Sequence, residues 1–256
     1  MSSISIVVVV KNEVERIKSF LEKHAWANEI VVVDDMSTDG TPEFVRKSKA
    51  LLIQHRSDGN FNYQREIGAT LAKSMWILQM DADEIIPDST RDEIQLRINN
   101  QQEYAGFEIF RLNHLVGKPI KWGGASDYQM KLYQKGKLEY IGDTVEVYKI
   151  DGKVGRIDAP VLHFPAESIT YLLRKNLYYS EILAEAYIKK HPKTVWKEIR
   201  CSLIIRSFKL FYKNYFRKKG YRDGMHGFVW SIIIVIIQQF YWMSVWEKSL
   251  KNKSFH

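Results

Sequence analysis

Two acid-rich stretches in this 256-residue chain have the residue types and setting for metal-assisted chemistry on phosphates. The first, Asp34-Asp35-Met36-Ser37-Thr38-Asp39-Gly40, follows the apolar run Val31-Val32-Val33. The second, Asp81-Ala82-Asp83-Glu84, follows Ile77-Leu78-Gln79-Met80. An apolar strand ending in closely spaced acids sets their carboxylates at one edge of a pocket. Hard cations such as Mg²⁺ or Mn²⁺ take oxygen ligands and complete their shells with water or phosphate oxygens. The chain has neither a Gly-Lys-Ser/Thr phosphate loop nor the glycine pattern of a dinucleotide site. Neutralising a phosphate would therefore fall to a metal at Asp81 and Asp83. A plainer reading stands beside this one: Asp34, Asp35, Ser37 and Thr38 are also ordinary turn formers and helix caps.

The elements that must position these acids are legible in the first hundred residues. Ile4 to Val10 is a continuous β-branched run, as in a strand buried on both faces. Asn12 to His24 has helical spacing, with Val14, Ile17, Phe20 and Leu21 on one face. Glu29 to Asp34 is a second strand, and Thr41-Pro42 opens a helix as cap and first-turn proline. Leu51 to Gln54 is a third strand, Phe61 to Ser74 a helix and Met75 to Met80 a fourth strand. This alternation predicts right-handed βαβ units and a parallel sheet, whose ligands sit at the carboxyl ends of the strands. Residues 105–112 and 129–134 then read as strands with no helix between them, so the sheet becomes mixed. Two helical stretches follow, roughly 167–190 and 194–217, and then a strongly apolar one.

Hydrophobic residues make up 45% of the chain and charged residues 27%, which excludes a disordered or collagen-like polypeptide. The single cysteine, Cys201, excludes a disulfide framework or a Cys-rich zinc site and suits a reducing compartment. No cleavable secretion signal is expected, because Met1-Ser2-Ser3 runs straight into the first strand.

The segments VVVVKNE, VVVDDMSTDGT and WILQMDADE, in that order, resemble the inverting family 2 glycosyltransferases. The resemblance covers roughly residues 4–165. Gln64-Arg65, the DADE sequence, Trp122, DYQMKLY at 127–133 and the basic C-terminal helices make the chain similar to bacterial lipopolysaccharide-core β-glucosyltransferases. The resemblance implies a GT-A fold: α/β with a mixed, mostly parallel sheet that binds a UDP-sugar. It also implies roles for individual residues. Asp35 would accept from the uracil N3–H, Asp34 would support the same loop, and Arg65 would approach the nucleotide. Asp81 would contact the ribose or a metal-bound water, and Asp83 would hold the metal, Mg²⁺ or Mn²⁺. Val9, Asn12, Glu13 and Ala82 fall in the matching motifs and would line the nucleotide-sugar site.

Inverting transfer needs a carboxylate that takes the proton of the acceptor hydroxyl. Such relatives often carry Val-His-Glu beyond the fourth strand, whereas this chain reads Asp143-Thr144-Val145-Glu146, without the histidine. The candidate bases are Glu146 and Asp127, with Glu146 preferred. Trp122 offers a sugar-stacking face or a core tryptophan. His163, after Pro160-Val161-Leu162, is an extra ligand, an acceptor contact or a satisfied core histidine.

The net charge of +8 is localised. Between Lys189 and Arg222 stand 12 Lys/Arg and one acid, Glu198, a balance of +11 that leaves the rest of the chain at about −3. Trp196, Ile199, Leu203, Leu210 and Phe211 recur there at helical spacing, with Lys197, Arg200, Arg206, Lys209 and Lys213 on other faces. Bulky apolar groups edged by cations suit a helix lying in an anionic membrane interface. Nucleic acid is the rival partner for such charge, but no binding motif accompanies it. Gly224 to Trp246 then runs 23 residues without Lys, Arg, Asp or Glu. It is long enough to cross a bilayer, but Gln238-Gln239 and its crowded aromatics also suit an interfacial, re-entrant or buried helix.

The sequence therefore predicts a GT-A domain at 1–165 and a basic, apolar, membrane-associating helical region at 166–256. The expected activity is metal-dependent, inverting hexosyl transfer from a UDP-sugar to a lipid-linked or lipopolysaccharide-core saccharide, at the cytoplasmic face of a bacterial inner membrane. A nucleotidyltransferase with a similar metal site, or an inert membrane-docked nucleotide-sugar-binding protein, are the alternatives.

Overall fold

The computed structural model describes residues 2–100, 103–141, 147–165, 168–191 and 196–253. The chain divides into two compact units, residues 1–111 with 127–163 and residues 112–126 with 164–256.

The first unit is built on β1 (Ile4–Val10), β2 (Glu29–Asp34), β3 (Leu51–Gln54) and β4 (Trp76–Asp81), all parallel. Helices α1 (Val14–Lys23), α2 (Thr41–Arg46) and α3 (Phe61–Leu71) connect them. Further along come β5 (Glu84–Ile85), α4 (Asp88–Asn100), β6 (Tyr104–Leu115), β7 (Lys118–Ile120), β8 (Asp127–Gln134), β9 (Leu138–Ile141), β10 (Val147–Ile150) and β11 (Lys153–His163). Among the described residues the main sheet runs β3-β2-β1-β4-β8-β6-β11-β5, with β9 and β10 forming a separate hairpin. β8 runs antiparallel to β4 and to β6, and β5 antiparallel to β11, so the sheet is mixed as the sequence predicted.

The β1 strand explains the order. Its side chains feed both faces of the sheet: Ile4, Ile6, Val8 and Val10 enter one core cluster, and Val7 enters the other. Fully burying a Val or Ile side chain is worth about 1.5–3 kcal/mol, so this strand belongs in the middle. The helix α3 lies so close to it that a Cβ on Gly68 would come within 2.4 Å of Val7 Cγ1.

Three sequence expectations change. The helix expected to Ser74 ends at Leu71, because Ala72 turns to extended backbone. Thr41 is the first residue of α2 rather than its cap. The cap is Gly40, at φ 90°, and the Thr41 hydroxyl donates instead to Asp39. The helix α4 escaped notice because its buried stripe is only Thr90, Ile94 and Ile98 in a charged segment.

A buried histidine ties α1 to the turn after β4. His24 Nδ1–H donates to the Phe20 carbonyl at 2.8 Å, while Nε2 accepts the Ile86 N–H at 3.2 Å. These bonds require the neutral ring, and burial lowers its pKa from 6.5 to about 4. The unfolded chain therefore binds a proton between pH 6.5 and 4 that the folded chain does not, and stability falls as pH falls through that window. The loss approaches about 3 kcal/mol. Denaturant titrations at pH 7 and pH 4.5 should show this component in the wild type but not in His24→Gln.

The second unit holds the end of β6, β7, and the helices α5 (Ile169–Lys190), α6 (Trp196–Cys201), α7 (Ser207–Tyr212) and α8 (Gly224–Lys253). Two π-helical segments, Ser202–Arg206 and Lys213–Arg217, flank α7, so the single helix expected at 194–217 is interrupted twice. The packing of α8 against α5 and its neighbours joins Leu172 to Ile233, and Ala184 and Ile188 to Trp242 and Val245. Among the described residues α8 is long and apolar enough to cross a membrane, and 28% of its most apolar window is buried within the protein.

Candidate active site

Register puts the two acidic strand ends on either side of β1. Val10 pairs with Asp34 of β2, and Val9 pairs with Asp81 of β4. Strands lie about 4.8 Å apart, so these acids sit about 10 Å from each other across the carboxyl end of the sheet. The chain leaves β1 for β2 and β3 on one side and returns to β4 on the other. That reversal is where open α/β sheets form their ligand crevice.

On the β2 side the loops brace one another. The Asn12 N–H donates to Ser37 Oγ at 2.7 Å, and Asn12 Oδ1 accepts the Thr38 N–H at 2.8 Å. The α1 helix has no side-chain cap of its own; Asp39 takes the Val14 N–H and Thr41 the Glu13 N–H. Glu13 itself pairs with Arg16 at 3.1 Å. Asn12, Glu13 and Asp39 thus hold the shape of the loops. Asp35 is 2% exposed; its carboxylate accepts from Ser57 N–H, Ser57 Oγ–H and Lys11 Nζ at 2.7–3.0 Å. Burial pushes its carboxyl up, but the Ser57 amide, Lys11 and the Ser57 hydroxyl outweigh that and hold it below the ordinary value. Asp34 is fully buried. Its Oδ2 accepts from Ser37 N–H and the Gln54 amide, while Oδ1 has no hydrogen-bond partner among the described residues. Asp35 is thus a hydrogen-bonded carboxylate held at the strand edge, with Asp34 buried beside it.

On the β4 side a tight turn carries the second motif. Glu84 Oε2 accepts the Asp81 N–H at 3.0 Å, closing residues 81–84, and Ala82 packs against the main core. Pairing of β5 with β11 sets His163 opposite Glu84. The His163 Nε2 then stands 3.2 Å from Asp83 Oδ1, with Arg16 at 3.9 Å from the other oxygen. Lys131 of β8 and Arg111 of β6 face the turn from the antiparallel half of the sheet. The Lys131 ammonium lies 2.8 and 2.9 Å from the two Glu84 oxygens and 3.7 Å from Asp81 Oδ2; Arg111 lies 3.9 Å from both acids. Against the upward push of burial, Lys131 and then Arg65, His163 and Arg111 hold the Asp81 carboxyl well below its ordinary value. Arg65 itself sits on α3, donating to Asn62 at 3.1 Å.

These side chains bear on the metal that the motif implies. Among the described residues no three His, Cys, Asp or Glu side chains converge on one point. Asp83 and His163 do converge, and their 3.2 Å separation resembles the roughly 3 Å between adjacent ligands of an ion bound at ~2.1 Å. Asp81, with a side chain 35% exposed, remains open beside them. A two-ligand protein site completed by water and phosphate oxygens suits this set. His163 is thus a buried histidine that meets Asp83.

The other expected residues are more scattered. Asp127 opens β8, exposed, opposite Arg111. Glu146 lies outside the described residues. Trp122 belongs to the second unit; its N–H donates to Asp223 at 2.7 Å, and Arg222 and Lys219 stand 4.8 and 5.8 Å from its ring centroid. It is a partly exposed tryptophan among cations rather than a core one. Sequence reasoning passed over Lys131, Arg111 and Glu84. The available signal was polar residues inside otherwise apolar strands, such as Lys131 between Met130 and Leu132.

Comparison with known proteins links this acid-edged sheet to glycosyltransferases. Residues 5–118 match the family model described as glycosyl transferase family 2. Over that segment the chain is similar to family 2 glycosyltransferases, and its fold is α/β around a mixed sheet. It is 26% identical over 266 residues to an uncharacterized glycosyltransferase of Rickettsia conorii, covering 98% of this chain and 92% of that protein. It is 23% identical over 236 residues to the lipopolysaccharide core biosynthesis glycosyltransferase LpsC of Rhizobium meliloti, covering 88% and 85%. The crystal structure of S. aureus TarS 1-349 in complex with UDP-GlcNAc superposes with a TM-score of 0.48 at 14% identity, covering 92% of this chain and 81% of that one.

Proposed function

We propose that the protein transfers a hexose from a UDP-sugar, with inversion, to a lipid-linked or lipopolysaccharide-core saccharide at the cytoplasmic face of a bacterial inner membrane. The observation that carries this reading is the placement of Asp34 and Asp81 on either side of β1, with Asp35, Asp83 and His163 close by in the chain or in space. Similarity to LpsC, a lipopolysaccharide core biosynthesis glycosyltransferase, supports the acceptor class. Asp35 would receive the uracil N3–H, and Arg65 would stand by the nucleotide. Asp83 and His163 would hold a divalent ion, Mn²⁺ or Mg²⁺, that offsets charge building on the departing diphosphate. Glu146, just before β10, or Asp127 would take the proton of the acceptor hydroxyl as its oxygen attacks the anomeric carbon and UDP departs.

The nucleobase assignment is tested by titration. Asp35→Asn keeps the shape but loses charge-assisted acceptance and the Lys11 partner. UDP affinity should fall by about 1.5–3 kcal/mol, roughly ten- to a hundredfold. Unchanged affinity would remove Asp35 from the nucleotide site.

The second unit would hold the enzyme at the membrane. Between Ile204 and Arg217, exposed Ile204, Ile205, Phe208, Tyr212 and Phe216 alternate with Arg206, Lys209, Lys213 and Arg217. Each Lys or Arg near an anionic surface contributes roughly 1 kcal/mol, screened by salt, whereas apolar burial is not. Full-length protein should therefore sediment with anionic liposomes at low salt and be only partly released at high salt. Protein left in the supernatant with anionic and neutral liposomes alike would refute the membrane role.

A further inference from the structure

A lysine with 3% side-chain exposure is unusual unless its charge has a task, and Lys131 reaches that position by a break in the sheet. In the β6–β8 ladder, Phe107 pairs with Leu132 and Glu108 with Met130, so Lys131 is the extra residue of a β-bulge. A bulge re-aims one side chain at the cost of a ladder position. Here the ammonium is aimed at the turn that carries Asp81 and Asp83. It contacts both oxygens of Glu84, and Glu84 Oε2 in turn accepts the Asp81 N–H. The same ammonium lies 3.7 Å from Asp81 Oδ2.

We propose that Lys131 is a positioning residue: through Glu84 it clamps the Asp81–Glu84 turn in the conformation that binds the nucleotide-sugar donor. This rests on the donor site proposed above. Glu84 alone would be a buried carboxylate free to turn away from the Asp81 amide. Held by two short contacts to one ammonium, it has a single orientation. The chain of contacts β8 bulge, Lys131, Glu84, Asp81 backbone thereby connects the antiparallel half of the sheet to the motif at the end of β4. Lys131 also adds positive charge beside Asp81, and that charge requires no ligand to be present. A purely structural ion pair would be replaceable by any well-packed neutral pair without consequence for the site.

That difference sets the test. Lys131→Met, Lys131→Arg and the double variant Lys131→Met/Glu84→Gln are compared with wild type by three readouts. These are melting temperature, hydrogen exchange of the Asp81 amide in the nucleotide-free protein, and affinity for UDP with and without Mn²⁺. The double variant leaves no lone buried charge, so it should recover most of the melting temperature lost by Lys131→Met. Its Asp81 amide should nevertheless exchange at least tenfold faster than in wild type, with β1 and β2 protection unchanged. Its UDP affinity should fall at least tenfold, and Lys131→Arg should restore part of both losses. A double variant with wild-type exchange at Asp81 and wild-type UDP affinity would overturn the clamp. If wild-type protein bound no UDP, the donor reading would fail instead, and the exchange measurement would still decide the clamp.

Discussion

Asp83→Asn is expected to reduce sugar transfer at least about a hundredfold while leaving the fold intact. The amide keeps the size of the side chain and can still bond to His163, so thermal stability should change little. It is a far poorer ligand for a hard cation, and charge stabilisation at a departing diphosphate is worth several kcal/mol. His163→Ala should lower Mn²⁺-dependent UDP binding in parallel, because His163 Nε2 stands 3.2 Å from Asp83 Oδ1. Titration of each variant with UDP, with and without Mn²⁺, separates this from a general weakening of nucleotide binding. Wild-type turnover in Asp83→Asn, or full wild-type activity in excess chelator, would exclude the metal role.

The next largest effect concerns the base. Glu146→Gln should lower turnover by about 10²–10⁴-fold, the range for losing a general base, while UDP affinity stays within about twofold. The base acts on the acceptor hydroxyl, which UDP does not contain. Asp127→Asn is the matched control, since Asp127 sits opposite Arg111 at the head of β8. If Asp127→Asn is inactive and Glu146→Gln retains turnover, the chemistry belongs to β8, and the missing histidine before Glu146 marks a changed loop.

The parallel half of the fold was legible because its strands announce themselves. Ile4–Val10 and Glu29–Asp34 are buried on both faces, and such strands must be continuously apolar and β-branched. Each then stops at polar residues, which marks the sheet edge and hence Asp34, Asp35, Asp81 and Asp83. The antiparallel half carries weaker signals. The strand β11, KVGRIDAPVLH, mixes charged and apolar residues, so His163 was seen but its meeting with Asp83 was not. The bulge at Lys131 has no local signature at all, since it exists only as a mismatch with β6. The helix α4 shows too few apolar positions to reveal a period. What stayed hidden is what depends on pairing between distant segments, and that is where Lys131 and Arg111 come from.

The central claim is that this site breaks the bond between a hexose and UDP. It is tested most directly by incubating full-length protein with UDP-hexoses, Mn²⁺ and a lipopolysaccharide-core acceptor, and identifying every phosphorus-containing product by ³¹P NMR. UDP should appear in step with glycosylated acceptor, and ¹H NMR should show the new glycosidic bond in the opposite anomeric configuration to the donor. Hexose 1-phosphate in place of UDP, or a product that retains the donor's configuration, would contradict it.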